Sequence, residues 1–159
     1  MKLSKQGFSL IETIVAISIM LIGIVGLYAL VPFYLKVVAV NKDRFVASQL
    51  AREGIEFVRN IRDSNLLAGN NWNDNLTGCV SGCQMDYNDD AGLSGYTGMS
   101  LRIDPSGFYK YEGGLITKYK RKITITSTDP NKELNVEVEI FGLMDSAVFK
   151  AVEIIYNWR

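Results

Sequence analysis

The chain has 159 residues, of which 48% are hydrophobic, and its 17 basic and 17 acidic side chains cancel to a formal net charge of zero. This balance provides no broad electrostatic footprint for nucleic acid. The sequence contains no histidine, the residue most often used as a general base or a metal ligand. We therefore expect neither an enzyme nor a protein that needs a cofactor.

A long apolar run follows a short basic leader. Lys2 and Lys5 precede the run, Glu12 is the last charge before it, and residues 13–35 carry no charge. At about 1.5 Å per residue they form roughly 34 Å of helix, enough to cross a hydrocarbon core of about 30 Å. The basic leader places the N-terminus in the cytoplasm. We expect one membrane span.

Two ordinary interpretations of this N-terminus are a signal peptide and an uncleaved anchor. A signal peptide is cut after a small residue, and the best candidate beyond the run is Val37-Val38-Ala39. The apolar core is long for a signal peptide, however. An uncleaved anchor would leave a surface adhesin or receptor domain that never polymerises.

The residues from Lys5 to Glu12 resemble the start of type IV prepilins and type II secretion pseudopilins. The shared pattern is a short basic leader that ends in glycine, then phenylalanine, and a glutamate four residues further on. The resemblance implies that a prepilin peptidase cleaves between Gly7 and Phe8 and N-methylates Phe8, and that Glu12 is the assembly glutamate. It also implies the pilin fold, with other pilin subunits, the inner-membrane assembly platform and membrane lipid as partners.

Physical chemistry supports a paired role for Glu12. Cleavage after Gly7 would create an α-amino cation at Phe8, one helical turn before Glu12. An unpaired Glu12 among packed apolar helices would be buried at substantial cost. Pairing with the Phe8 amine of a neighbouring chain removes that cost and sets the axial register between subunits. The alternative is a glutamate that only marks the membrane interface.

Pro32 lies in the apolar run and removes one backbone hydrogen-bond donor. It predicts a helix break in one of two forms. One is a simple kink in a packed helix. The other, implied by the resemblance, is partial melting of this region inside assembled filaments.

Beyond the run, the helix is expected to continue into water over residues 36–65. Apolar residues at helical spacing form one stripe of Val46, Leu50, Gly54, Phe57 and Ile61. Asp63-Ser64-Asn65 then ends the helix. The predicted organisation is a leader at 1–7, a hydrophobic transmembrane and assembly helix at 8–35, this amphipathic continuation, and a globular head at 66–159.

Residues 66–98 are rich in glycine, asparagine, aspartate and serine and are expected to form a long loop. Both cysteines, Cys79 and Cys83, lie in this loop, and two nearby glycines make a tight closure feasible. An exported chain can oxidise such a pair, so we expect a local disulfide, with free thiols as the alternative. Two cysteines without histidine do not make a metal site.

A weak calcium pattern follows the cysteines. Asp86, Asn88 and Asp90 alternate like the first ligands of a calcium-binding loop. Ala91 occupies the position of the required glycine, and Thr97 occupies that of the bidentate glutamate. We therefore favour a turn-rich solvated loop and expect no metal.

The C-terminal part predicts antiparallel strands, so the fold class is α+β, with a long N-terminal helix packed on a sheet. Residues 123–125 and 134–140 alternate apolar and polar side chains, which buries one face. Residues 128–131 supply a turn between the two runs. The buried face would pack on the helix stripe.

The turn also predicts the register of this pair. Pairing Ser127 with Leu134 would place Lys122 opposite Glu139. Further strands are expected at residues 99–103, 108–111 and 147–156.

The strongest basic cluster is Lys118–Lys122, in which Tyr119 is the one uncharged residue. With Tyr109 and Tyr111 nearby, it could contact the backbone and bases of nucleic acid. Such lysines more often keep an edge strand soluble, and we favour this second interpretation.

These features predict a structural filament subunit of the pilin type, with general similarity to minor pilin-like subunits of the V type. Type II secretion and competence pseudopilins are the alternatives within this class, because they share the N-terminus and differ in the head. The alternative of another class is the membrane-anchored adhesin or receptor. The subunit would occupy the cytoplasmic membrane before assembly, and then an extracellular pilus or a periplasmic pseudopilus.

Overall fold

The computed structural model describes residues 7, 9–88, 92–143 and 146–158. Within these ranges the chain forms one long helix followed by eight strands. Helix α1 is Leu10–Leu67. The chain divides into two compact units, Met1–Lys42 and Asp43–Arg159.

The first unit contains the N-terminal part of α1. Residues 10–42 are all exposed, and near the N-terminus α1 contains a stretch long and apolar enough to cross a membrane. Pro32 lies inside the helix, which continues on both sides of it. The predicted break at Pro32 therefore does not end the helix, and melting within filaments stays a prediction.

The second unit, which we call the head, combines the remainder of α1 with two antiparallel sheets. The strands described in it are β1 (Cys83–Gln84), β2 (Ser94–Gly95), β3 (Arg102–Ile103), β4 (Tyr109–Lys110), β5 (Leu115–Ile116), β6 (Lys120–Thr126), β7 (Glu133–Phe141) and β8 (Ala147–Tyr156). The larger sheet has five strands in the order β2-β1-β6-β7-β8. The smaller has three, in the order β4-β3-β5.

Small side chains let α1 approach the larger sheet closely. Alternate residues of β6 and β7 are buried, and the buried apolar positions on α1 include two alanines, Ala47 and Ala51. At Gly54 an added Cβ would lie 2.9 Å from Val138 Cγ1. Position 54 therefore needs a glycine because there is no room for a side chain, and not because the backbone adopts a conformation that favours glycine.

The sequence predicted the central pairing of the sheet correctly. Lys122 pairs with Glu139 in the observed register of β6 and β7. β8 has the predicted bounds of 147–156. The turn at residues 128–131 limits the possible registers, and a one-residue slip would turn the buried face of one strand to solvent.

Other parts of the predicted head need correction. Residues 66–98 are not one continuous loop, because β1 and β2 lie within them and pair with each other. The strands expected at 99–103 and 108–111 are shortened to β3 and β4. On the helix stripe, Phe57 and Ile61 are only half-buried, because the alanine positions face the sheet.

Candidate functional site

The expected cleavage segment lies at the start of α1. Gly7 is exposed, and Phe8 lies outside the described residues. The helix begins where the Ser9 carbonyl accepts hydrogen bonds from the Thr13 backbone N–H, at 3.2 Å, and from its hydroxyl, at 3.3 Å. Glu12 occupies the first turn, where the helix dipole favours a carboxylate.

Glu12 belongs to an exposed surface that is otherwise apolar. It has no ion-pair or hydrogen-bond partner in the part of the chain that the structure describes. The large apolar side chains beside it and further along the helix are uncovered as well, with Ile11 66% and Ile22 74% exposed. Apolar surface on this scale marks a site of contact with lipid or with other protein. The carboxylate is therefore available to an amine from another molecule.

The two cysteines form a disulfide in the head. The Cα atoms of Cys79 and Cys83 are 5.3 Å apart, and both residues are buried in the hydrophobic core. The Cys79 carbonyl accepts the N–H groups of Gly82 and Ile125, each at 3.1 Å. Cys83 pairs with Ile123 in the sheet. The disulfide therefore fixes β1 alongside β6.

The first residue of the weak calcium pattern, Asp86, makes hydrogen bonds within the head. Asp86 is only 4% exposed, and its two carboxylate oxygens accept the N–H groups of Asn88 at 2.9 Å and Tyr111 at 2.7 Å. Asn88 is exposed, and Asp90 lies outside the described residues. Among the residues that can be placed, Asp86 thus serves to fasten its own loop to the segment after β4.

Arg121 is buried, whereas our interpretation of the basic cluster expected it on a solvent-exposed edge strand. Its side chain is fully buried, because β6 is a central strand and not an edge strand. Nη1 donates to Glu53 Oε2 at 2.6 Å and Nη2 donates to the Met85 carbonyl at 2.6 Å. The guanidinium carbon lies 4.8 Å from the centroid of the Phe57 ring. Arg121 therefore joins α1 to the loop that precedes β2.

Three other residues of the cluster, Lys118, Tyr119 and Lys122, also make contacts within the head. Lys118 Nζ lies 2.5 Å from Asp43 Oδ2, and the Tyr119 hydroxyl donates to Asp43 Oδ1 at 3.2 Å. Burial, assisted by the Asp43 carboxylate, raises the pKa of Tyr119 to about 12. The Lys122 side chain lies against Gly82. Lys118 and Tyr119 are therefore joined to Asp43 of α1, and Lys122 lies against the disulfide loop.

Comparison with protein families adds an independent finding to this geometry. Residues 2–28 match the family described as the prokaryotic N-terminal methylation motif. The match contains Gly7, Phe8 and Glu12, so the chain carries a type IV prepilin-like signal. Together with a long helix packed on an antiparallel sheet, this gives the chain a pilin-like α+β layout. Comparison with curated proteins and with solved structures gave no significant match.

The motif has direct consequences for processing and location. It implies processing by a prepilin peptidase and assembly with pilin-type subunits. With the exposed apolar helix, it indicates single-pass membrane anchoring.

Proposed function

We propose that this chain is a non-catalytic structural subunit of a type IV pilin-like filament, and specifically a minor pilin. The observation that carries this proposal is the presence of a methylation motif, an exposed apolar helix and a folded head in the same chain. A methylation motif at residues 2–28 overlaps a helix whose residues 10–42 are all exposed, and the same chain then forms a folded head.

The exposed apolar helix must be shielded from water both before and after assembly. Lipid would cover residues 13–35 before assembly, and the equivalent helices of neighbouring subunits would cover them in the filament. Lipid tails are as apolar as the helix, so moving the helix from lipid into the filament gains little free energy from hydrophobic burial. A directional contact is then needed to set the position of each subunit.

Glu12 would supply that contact. Cleavage between Gly7 and Phe8 produces an α-amino cation, and methylation of the amine retains the positive charge. In a packed apolar interior, leaving Glu12 unpaired costs several kcal/mol. Pairing with the Phe8 amine of another copy therefore selects one axial register.

The head favours a minor over a major subunit. The segment between α1 and β3 has its own short strands and the Cys79–Cys83 disulfide. We propose that the N-terminus faces the cytoplasm, that the inner-membrane assembly platform incorporates the chain, and that the filament is an extracellular pilus. The same N-terminus would suit a secretion or competence pseudopilus.

The test is the chemical state and fate of the mature protein in its native host. Mass spectrometry should find an N-terminus at methylated Phe8, and sheared filaments should contain the chain. Glu12→Ala should be processed normally but enter filaments poorly, whereas the conservative control Ser18→Ala should enter at the normal level. An intact Met1, or an N-terminus near Val40, would refute the filament proposal and favour a membrane-anchored adhesin or receptor or an exported domain.

A further inference from the structure

β8 forms one edge of the larger sheet and carries a row of exposed apolar side chains. It is the last strand in the order β2-β1-β6-β7-β8, so among the described strands it pairs with β7 alone. Val152, Ile154 and Tyr156 lie two residues apart and are 54%, 48% and 54% exposed. Trp158, two residues further on, is 64% exposed. We call these four residues the β8 stripe.

The backbone of the same residues is open along this edge. In an antiparallel pair, residues that exchange N–H···O bonds with the partner strand alternate with residues that do not. The Asn157 N–H points towards β7, because it donates to the Lys132 carbonyl at 2.8 Å. The N–H groups of Tyr156, Ile154 and Val152 therefore point away from β7, and no described residue accepts them.

The features that normally protect an edge strand from further pairing lie at the start of β8. Natural edges are commonly blunted by bulges and by charged side chains. The irregular register lies between Ile140 and Phe141, opposite the start of β8. Lys150 lies just before the β8 stripe, and its Nζ is 2.7 Å from Glu137 Oε1. Over residues 151–156 the pairing with β7 is regular, so this half of the edge is open to a further strand.

The charges around the β8 stripe favour an uncharged occupant. Two stripe residues lie opposite Glu133 and Glu137 of β7, and these carboxylates repel an anionic lipid headgroup or nucleic acid. Glu153, the one charged residue between the stripe positions, is held by α1, where Arg59 Nε donates to its carboxylate at 3.0 Å. The stripe therefore matches a segment that presents uncharged apolar side chains.

An extended peptide segment is the occupant that satisfies both the backbone and the side chains. A helix has already used its own backbone hydrogen bonds, and lipid tails have none. An added strand supplies backbone partners and places every second side chain on one face. Pairing with β8 of a second copy would be isologous and would close a dimer, which does not suit the minor subunit proposed above, whose neighbours are other chains.

We propose that β8 receives an extended segment of a different exported chain as a sixth strand of the larger sheet. The segment pairs its backbone with Val152, Ile154 and Tyr156, and it presents apolar side chains at every second position to the β8 stripe. The choice of a different chain over a second copy rests on the proposed function. Because this edge belongs to the head, it selects a partner that the N-terminal motif does not specify.

Photo-crosslinking of the full chain in its native host tests this contact. p-Benzoylphenylalanine would replace Val152 or Tyr156, one at a time, and peptide mass spectrometry would map the adducts. We expect both probes to label one segment of the same partner chain, at positions about four residues apart, because paired strands have the same rise per residue. The same probe at Leu115, a 76% exposed residue of β5 in the smaller sheet, is the control and should not label that segment.

Several adduct patterns would overturn the inference. Adducts on β8 of a second copy would show a closed dimer in place of the proposed occupant. Adducts on lipid alone, or on partner positions that do not keep the expected spacing, would exclude an added strand. Absence of adducts from both probes would exclude it too.

Substitutions on the open edge provide a second test. Ile154→Pro removes an N–H that points away from β7, a position at which an edge strand tolerates proline. It should lower the adduct yield from the probe at Tyr156 about fivefold or more, as expected from a lost hydrogen bond. Val152→Lys keeps the backbone and places a charge on the β8 stripe, and it should lower the yield similarly. Leu115→Lys is the matched control and should leave the yield unchanged.

Folding of each variant is checked separately, by circular dichroism and by the fluorescence of the buried Trp72. If Ile154→Pro does not fold, Val152→Lys decides the question. If the folded variants still give the natural yield, the inference fails.

The chemical state of Phe8 separates this inference from the filament proposal. A chain that is neither methylated nor present in filaments refutes the proposed function, whereas adducts in register on another chain would still support the added strand. A methylated chain that enters filaments, but whose probes give no adducts in register, refutes the added strand alone.

Discussion

The buried pair of Arg121 and Glu53 should respond unequally to loss of either partner. Arg121 has 0% and Glu53 has 32% of its side chain exposed. Glu53→Ala leaves a guanidinium in the core, where loss of a buried charge partner costs about 3–5 kcal/mol. Arg121→Met leaves a carboxylate that water can still reach, and we expect about 1–3 kcal/mol from the lost hydrogen bonds.

Urea unfolding of the full chain in detergent micelles can measure this difference. Trp72 is 5% exposed and reports on the head by fluorescence, in a Trp158→Phe background that removes the exposed indole. A difference of about 2 kcal/mol shifts the midpoint by roughly 1 M urea when the slope is about 2 kcal/mol per molar.

A control and a refuting result complete this experiment. Glu56→Ala removes an exposed glutamate of the same helix, whose side chain is 62% exposed, and should cost less than about 1 kcal/mol. If Glu53→Ala is no more destabilising than Arg121→Met, then the buried guanidinium does not depend on its carboxylate and our account of the pair is wrong.

Three further predictions concern the head. Replacing both Cys79 and Cys83 with alanine should lower the unfolding free energy by about 2 kcal/mol, as expected for a short closed loop. An unchanged urea midpoint would contradict the inference that the disulfide fixes β1 alongside β6. Gly54→Ala should destabilise by about 1–3 kcal/mol despite its higher helix propensity, because the new Cβ overpacks the core; a raised melting temperature would contradict this. Tyr111 and Tyr119, each with a pKa raised to about 12 by burial, should titrate after the exposed tyrosines in absorbance at 295 nm. Since the folded state holds these protons more tightly, stability present below pH 10 should fall as the pH rises towards 12, and less steeply in Tyr119→Phe.

The parts of the fold that follow local patterns were predicted from the sequence. The strand pair around Lys122 and Glu139 follows from alternation and one turn, and both are properties of adjacent residues. The motif from Gly7 to Glu12 is likewise contiguous. Each of these features can be identified without knowing which distant segments meet.

The features that escaped prediction depend on distant contacts. Arg121 stands in a run of lysines, and its burial follows only from the placement of Glu53 and Met85 around it. The strands β1 and β2 have two residues each, too few for any periodicity to show.

The disulfide loop also covers one side of β6. The Cys79 carbonyl and the pairing of Cys83 together occupy the side of β6 at Ile123 and Ile125. A chain whose cysteines are reduced would hold this cover less firmly, and an uncovered apolar strand is a template for aggregation. Oxidation of the two cysteines thus stabilises the pairing that shields this side of β6.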